Sequence, residues 1–489
     1  MNDRVNATSD YTSDQLIEEY SVHLPDTIQP YGVLLSLDKT DFSILQISTN
    51  SEAYLGLSPQ QLLGQSLDTL MDVAQIRAAL QHVSPEHNRV ISVQLSMETA
   101  GGVRQFDSFV HPTDTTIILE MEPLPPSPQG NFLSVHTLTR ETIFQIQQTK
   151  TLPDLFNILV RDVRALTGFD RVHVYRFDEQ GAGEVIAEAK HDELQSFLGL
   201  HFPEQDIPAP IREFYAKGKL RIIPDLQAER IPLTPAMNPR TGEPLDVTLS
   251  VLRSAHPCCI EYYQNMGTSA ALVISLIKDH KLWGLLSCHH TTEKYVSYEV
   301  RSACELLTQM AALEMSNKVR QDDFEQQARI HALQSELIGA IAQADNFIDA
   351  LIRPQERLLT LVNASGAAIC LGDRLTLIGA TPTEQQVQAI IDWGDREITD
   401  TLFYTRCLSD IYPDAETLKE TASGLLMLRI SRVQHYLILW FRPEVLQSVN
   451  WAGNPQKVTT RNEEGHQELC PRASFEHWQE LVHASSLPW

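Results

Sequence analysis

A chain of 489 residues allows about three domains on the usual length prior, and its composition, 43% apolar and 21% charged with 22 Gly and 26 Pro in no repeat, excludes fibrous and wholly disordered classes. The net charge of −25 opposes binding to nucleic-acid phosphates or anionic lipid. Residues 1–13 lack an apolar secretory core and the longest apolar runs, 270–277 and 436–441, are too short to span a bilayer. A cytoplasmic protein with neither a nucleic-acid nor a membrane partner is expected. Its seven cysteines, Cys258, Cys259, Cys288, Cys304, Cys370, Cys407 and Cys470, are odd in number and scattered, which predicts reduced thiols rather than a disulfide scaffold.

After a polar N-terminal extension, residues 32–37, 44–47, 90–95 and 116–121 read as short apolar or alternating strands. Ser58 followed by Pro59 fits a helix start between them, and the Pro-rich run 123–128 closes an α+β domain with a mainly antiparallel sheet. A second such pattern covers 131–315: helices near 137–167, strands at 171–177 and 183–189, a long irregular segment over 200–250, then strands at 270–277 and 282–288. A loop of that length without periodicity is usually functional.

From Ser297 to Ile352 the chain has no Pro and one Gly, and apolar residues return at helical spacing: Val300, Ala303, Leu307 and Met310, later Ile330, Leu333, Leu337 and Ile341. As a single helix this would be on the order of 80 Å long, a spine between domains; two shorter helices with a break near Ser316–Asn317 are the other reading. Its polar middle, 318–329, predicts a solvent-bridging stretch whose flanking apolar stripes seek a second subunit or an intramolecular bundle. Strands again alternate with helix from 353 to 489, and 451–470 reads as an exposed arm. There is no P-loop, HExxH, EF-hand loop or kinase signature.

Six short motifs stand in order: Thr27-Ile28-Gln29-Pro30-Tyr31-Gly32; Asp206-Ile207-Pro208; Leu252-Arg253-Ser254 with Cys258; Cys288-His289-His290; Trp451-Ala452-Gly453-Asn454-Pro455; and Pro471-Arg472-Ala473-Ser474-Phe475. Together they resemble the photosensory core of phytochromes, of the cyanobacterial type that carries its pigment cysteine in the GAF domain. The resemblance implies three tandem PAS/GAF-like α+β domains with antiparallel sheets, joined by a long helical spine, with a tongue-like arm from the third. The boundaries it implies are an extension over 1–20, PAS over 21–130, GAF over 131–315, a connecting helix over 316–345, and PHY over 346–489 with the tongue at about 443–480.

As the resemblance implies, a linear tetrapyrrole is attached autocatalytically to Cys258 and the chain is a sensory module, not an enzyme. Only a thiolate is a good nucleophile, so the nearby charge of Arg253 favours attachment. Arg253 and Arg221 match the propionate-binding arginines, whose planar forks suit carboxylates. Asp206, held beside Ile207 and Pro208, presents its carbonyl to the pyrrole N–H groups; His289 stands by the D-ring carbonyl, and Tyr175, Phe202, Tyr215 and Tyr262 line the pocket. Red light would turn the D-ring, and the arm, with Trp451, Pro471, Arg472 and Ser474, would refold, Arg472 pairing with Asp206 in the dark.

Residues 25–35 are expected to thread the segment 222–256, as in knotted members of the family. A homodimer signalling to a domain or response regulator outside this chain is the implied partnership.

The chain departs from the family's pattern in three ways. Cys259 stands where a pigment-binding histidine is usual, and Ala271 and Val273 replace hydroxyl residues that bind the C-ring propionate. No cysteine precedes Cys258, which favours phycocyanobilin over biliverdin as the pigment. A metal, haem or redox sensor using His256, Cys258, Cys259, Cys288, His289 and His290 is a competing reading, although adjacent cysteines lack C-x2-C spacing. An unpigmented PAS/GAF dimerisation module is the third.

Overall fold

The computed structural model describes residues 26–81, 90–99, 102–124, 132–343, 355–431, 433–445, 447–455, 460–461, 467–468, 474–482, 485–487 and 489. The extension 1–20, most of the Pro-rich run, and Pro471 and Arg472 lie outside them. The chain divides into two compact units, Met1–Lys318 with Trp451–Trp478, and Val319–Asn450 with Gln479–Trp489.

In the first unit, strands β1 (Thr27–Ile28), β2 (Val33–Asp38), β3 (Ile44–Ser48), β4 (Ile91–Thr99), β5 (Gly102–Pro112) and β6 (Thr116–Pro123) form an antiparallel sheet closed by short helices. The sheet takes in one strand from far along the chain, β11 (Ile231–Thr234), in the order β1-β11-β3-β2-β6-β5-β4. Thr27 and Ile28 pair with Pro232 and Ile231 on one edge while Ile28 bridges to Arg253 on the other, so this strand runs between two parts of the 222–256 segment. Gln29 completes the tie: its backbone N–H donates to Leu252 O at 2.7 Å, its side-chain amide to Ile222 O and Arg253 O at 3.0 Å each.

The second sheet runs β10 (Leu220–Ile223), β12 (Ala270–Lys278), β13 (Lys281–His290), β7 (Arg171–Phe177), β8 (Gly183–Lys190), β9 (Leu200–Phe202), antiparallel throughout. Two helices precede it, α1 (Phe132–Gln148) and α2 (Leu152–Thr167). The helices expected near 137–167 divide before Thr151, whose hydroxyl accepts from Asp154 N and starts the second, which Gly168 ends at φ 66°. The stretch 200–250 is irregular only in part; it holds β9, α3 (Ala209–Lys217), β10 and β11, all short, with β10 and β11 paired to strands distant in sequence.

Helix α4 (Pro257–Asn265) follows the motif loop, and α5 (Tyr298–Gln343) is one helix of 46 residues. No break occurs at Ser316, whose hydroxyl donates to Ala312 O within the helix. Val300, Cys304, Leu307, Ala311 and Met315 pack on the helix side of the second sheet. Beyond Lys318 the side chains turn outward, Phe324 at 71% and Ile338 at 67% exposure.

The second unit has a five-stranded antiparallel sheet, ordered β15 (Arg374–Gly379), β14 (Gly366–Leu371), β18 (Tyr436–Arg442), β17 (Gly424–Ser431), β16 (Leu402–Thr405). Helix α6 (Glu384–Glu397) begins with a Thr383/Gln386 capping box and buries Val387, Ile390 and Ile391 against one face.

Candidate functional site

Alternation along the strands of the second sheet assigns its two faces. Val172, Val174, Leu272, Ile274, Leu286 and Cys288 pack with the helices, and the intervening residues face the opposite way. Directly opposed residues share a face, so the register draws two rows across four strands: Ile223, Ala271, His289, Arg171, and beside it Arg221, Val273, Ser287, His173. A third row adds Leu285 opposite Tyr175. This face is the floor of the site.

One end of the floor is cationic. Arg221 on β10 donates from Nη1 to Arg253 O at 2.9 Å, and Arg253 donates from Nη1 to Thr248 O at 2.6 Å with its guanidinium 3.9 Å over the Phe214 ring. Both side chains are buried, at 7% and 4% exposure. Neither forms an ion pair with a carboxylate among the described residues, and Arg253 Nε has no hydrogen-bond partner there. Burial, then the neighbouring charge of Arg221, pushes the Arg253 pKa well down.

The loop that carries Arg253 is held from β6: the buried Glu120 carboxylate accepts from Ser250 Oγ at 2.5 Å, Val251 N at 3.1 Å and Leu252 N at 2.6 Å. His111 Nε2 contacts the same carboxylate at 2.5 Å.

Cys258 is the second residue of α4. Pro257 opens the helix and His256 caps it, its Nδ1 accepting from Cys258 N at 3.3 Å. Neither Cys258 nor Cys259 is in a disulfide, and both are half-buried. Burial raises the Cys259 pKa, opposed by Arg221 and Arg253, so that thiol lies at the cationic end.

The other end is neutral and aromatic. Tyr175, Phe202, Phe197, Leu285 and Val273 form one cluster, with Ile207, Tyr215, Phe475 and Ala452 against it. The Tyr175 ring occupies space that only Gly183 leaves open, since a Cβ there would lie 1.8 Å from Tyr175 Cζ. His289 Nε2 meets Ser287 Oγ at 2.9 Å. Its Nδ1 is buried with no partner among the described residues. Burial, then Arg171, lowers the His289 pKa to about 3, so this ring is neutral over the physiological range. Tyr215 is pushed up to about 12, first by burial.

Asp206 closes the turn Glu204–Asp206 ahead of Ile207 and Pro208; its Oδ2 accepts from Tyr262 OH at 3.1 Å, and the Ile207 carbonyl accepts from Arg212 Nη1 at 2.9 Å. The Tyr262 ring lies edge-on to Phe475 at 5.2 Å, and Trp451 edge-on to His201 at 5.8 Å. Ser474 is exposed, its hydroxyl accepting from Glu476 N at 3.3 Å.

Thus Arg221, Arg253, Cys258 and Cys259 gather at one end, and Tyr175, Phe202, Tyr262, His289, Asp206 and Ile207 at the other; Tyr215 lies between them, packed on the aromatic cluster with its phenol in electrostatic reach of Arg221, Arg253 and Cys259. The competing metal set does not converge: Cys288 faces the helix side of β13, away from His289. Sequence reasoning missed His173 and Tyr263, whose rings lie edge-on to His289 at 5.0 and 5.4 Å. The alternation running through Arg171, His173 and Tyr175 was the available signal for the first. Buried guanidiniums that no carboxylate pairs among the described residues, beside a half-buried thiol and an apolar aromatic cluster, suit an elongated ligand with a carboxylate at one flank.

Comparisons with known proteins identify the family. Three family descriptions match the chain: a PAS fold at 17–124, a GAF domain at 151–316 and a phytochrome region at 330–489. Cyanobacterial phytochrome A of a Nostoc species is 43% identical over 99% of this chain and 64% of its own length. The phytochrome-like protein Cph1 of Synechocystis is 39% identical over 99% of this chain and 65% of its length. The chain therefore spans just under two thirds of these relatives. Among solved structures, a bacteriophytochrome of the photosynthetic bacterium R. palustris superposes with a TM-score of 0.82 at 37% identity, covering 96% of this chain and 93% of that one.

Proposed function

The chain belongs to the phytochrome family, as a red/far-red photoreceptor module of PAS, GAF and PHY domains built to hold a linear tetrapyrrole, and we propose that it attaches phycocyanobilin through Cys258 with Arg221 and Arg253 clasping carboxylates. The observation that carries the assignment is the pair of buried guanidiniums with no carboxylate partner among the described residues, on the face that also holds the aromatic slot. Burying such charge is costly unless it is paired, and a dianionic ligand supplies the pairing. Phycocyanobilin is preferred to biliverdin because Cys258 is the first cysteine of the sequence. Cys258 would hold the pigment through a thioether: its S–H would add across the A-ring ethylidene, sulfur to one carbon and proton to the other, so no oxidant is needed.

When bound, the pigment supplies photochemical rotation about its C15–C16 double bond. Tyr175, Phe202 and Tyr262 then confine the moving end, and His289 offers a neutral imidazole to it. Tyr262 is also the route outward: it bonds Asp206 and abuts Phe475 of the arm, so displacing it disturbs both. The arm is the bistable element of this reading, refolding as Arg472 exchanges its pairing with Asp206. A homodimer through α5, whose Phe324 and Ile338 are exposed, would pass the change to a signalling domain or response regulator.

Absorption spectra of protein coexpressed with phycocyanobilin synthesis, taken before and after red light, test the whole reading. Colour retained on the denatured chain and lost in Cys258→Ala is expected; a colourless parent protein refutes it. Arg472→Ala should leave attachment intact and alter photoproduct formation or reversion.

A further inference from the structure

The floor of the site carries polar groups that the assignments above leave unused. His173 lies in the row Arg221, Val273, Ser287, His173, and it is 4% exposed. With strands about 4.8 Å apart, Ser287 stands roughly 10 Å and His173 roughly 14 Å from the Arg221 position. The His173 ring meets His289 edge-on at 5.0 Å and Phe197 at 6.2 Å. His289 in turn bonds Ser287 at 2.9 Å, so the three side chains form one polar cluster between Val273, Leu285 and Phe197.

The cluster is incomplete as it stands. His173 Nδ1 and His289 Nδ1 are both buried without a hydrogen-bond partner among the described residues. Leaving two such atoms bare is unfavourable, and native proteins retain bare polar atoms mainly where a ligand or water completes them. Burial, then His289 and Arg171, drives the His173 pKa well below its ordinary value, so its ring is neutral and offers one donor and one acceptor. Meanwhile positions 271 and 273, on the same face, carry Ala and Val and can donate nothing from their side chains.

We propose that His173, Ser287 and His289 form a second polar station that hydrogen-bonds a carboxylate of the bound tetrapyrrole, shifted toward β7 from the positions occupied by Ala271 and Val273. The proposal rests on the pigment reading given above. This narrows the role given above to Arg221 and Arg253: they hold one carboxylate at the β10 end, and the other is held by neutral donors at the β13 and β7 strands.

The test uses the full chain carrying Cys258→Ala, so that binding is reversible, with phycocyanobilin and its dimethyl ester as probes and fluorescence quenching as the readout. His173→Leu should weaken phycocyanobilin binding about tenfold, the size of one hydrogen bond to a charged group, and leave ester binding unchanged. Val273→Thr restores a hydroxyl to the row; alone it should tighten phycocyanobilin binding, a gain that misfolding cannot produce, and it should recover most of the His173→Leu loss. An unchanged affinity in His173→Leu, or an equal loss with the ester, overturns the assignment while leaving the pigment reading standing. Failure of the parent chain to bind phycocyanobilin overturns both.

Discussion

The two ends of the site floor meet the same physical demand and answer it in opposite ways. Burial disfavours charge at both. A guanidinium stays charged in proteins, so the β10 end, where Arg221 and Arg253 are buried without a carboxylate partner among the described residues, is cationic until an anion arrives. His289 and His173 can shed their protons, and the β13/β7 end is neutral. A ligand is therefore gripped by charge at one flank and held by packing and neutral hydrogen bonds at the other, which suits a molecule that must stay anchored while its far end turns.

The sharpest way to break this contrast is to discharge the cationic end. Arg221→Met with Arg253→Met should cost binding of phycocyanobilin by at least roughly a hundredfold, measured by fluorescence quenching in the Cys258→Ala background. The same pair should raise the melting temperature of the pigment-free chain, by about 1–3 kcal/mol of stability, because uncompensated buried charge has been removed. A pigment-free protein that loses stability instead would show that these guanidiniums serve the fold, and the division of labour between the two ends would fail.

At the neutral end the corresponding change is steric. Gly183→Ala would place a Cβ 1.8 Å from Tyr175 Cζ, inside any tolerable contact, so the tyrosine must leave its place beside Phe202. Overpacking of this kind costs about 1–3 kcal/mol, readable by urea unfolding. The holoprotein should still attach pigment through Cys258, yet show a shifted or broadened red band, since only the confinement of the far end has changed. Attachment lost along with the band would mean that the two ends are not separable.

How far the sequence disclosed all this differs between the same two regions. Arg253 and Cys258 sit within a few residues of each other on one loop and helix start, and Arg221 lies on the strand next in space, so a linear motif names nearly the whole cationic end. The neutral end is assembled from β7, β9, α3, α4 and β13, and its members touch only because the sheet register aligns them. His173 was legible in principle from alternation with Tyr175. Tyr263 was not, because its contact with His289 depends on how α4 crosses the sheet.

The fold shows a parallel split. Strands with internal alternation, such as β6 and β13, are visible in sequence, whereas β11 is four residues whose partners lie at Thr27–Ile28 and Ser48, nearly two hundred positions away. The boundary between α1 and α2 is hidden for a smaller reason, a polar Thr149-Lys150-Thr151 linker whose capping role only the hydrogen bond to Asp154 N reveals.

The smallest test concerns protons at the neutral end. In the unfolded chain His289 takes up a proton as pH falls through about 6.5, while in the folded chain it holds out until about 3. Above about 6.5 both states are neutral and this residue gives no pH dependence. Below it the unfolded state alone binds the proton, so stability falls with acidification down to about 3 and changes no further from this source. Between pH 7.5 and 6 the loss amounts to about 1 kcal/mol for a single such group, and His173, shifted the same way, adds to it. Urea unfolding of the pigment-free chain at the two pH values should therefore show His289→Gln losing less stability than the parent. An equal loss in both would mean that the imidazole is already solvated or charged in the folded protein, and the neutral end would then resemble the cationic one more than its packing implies.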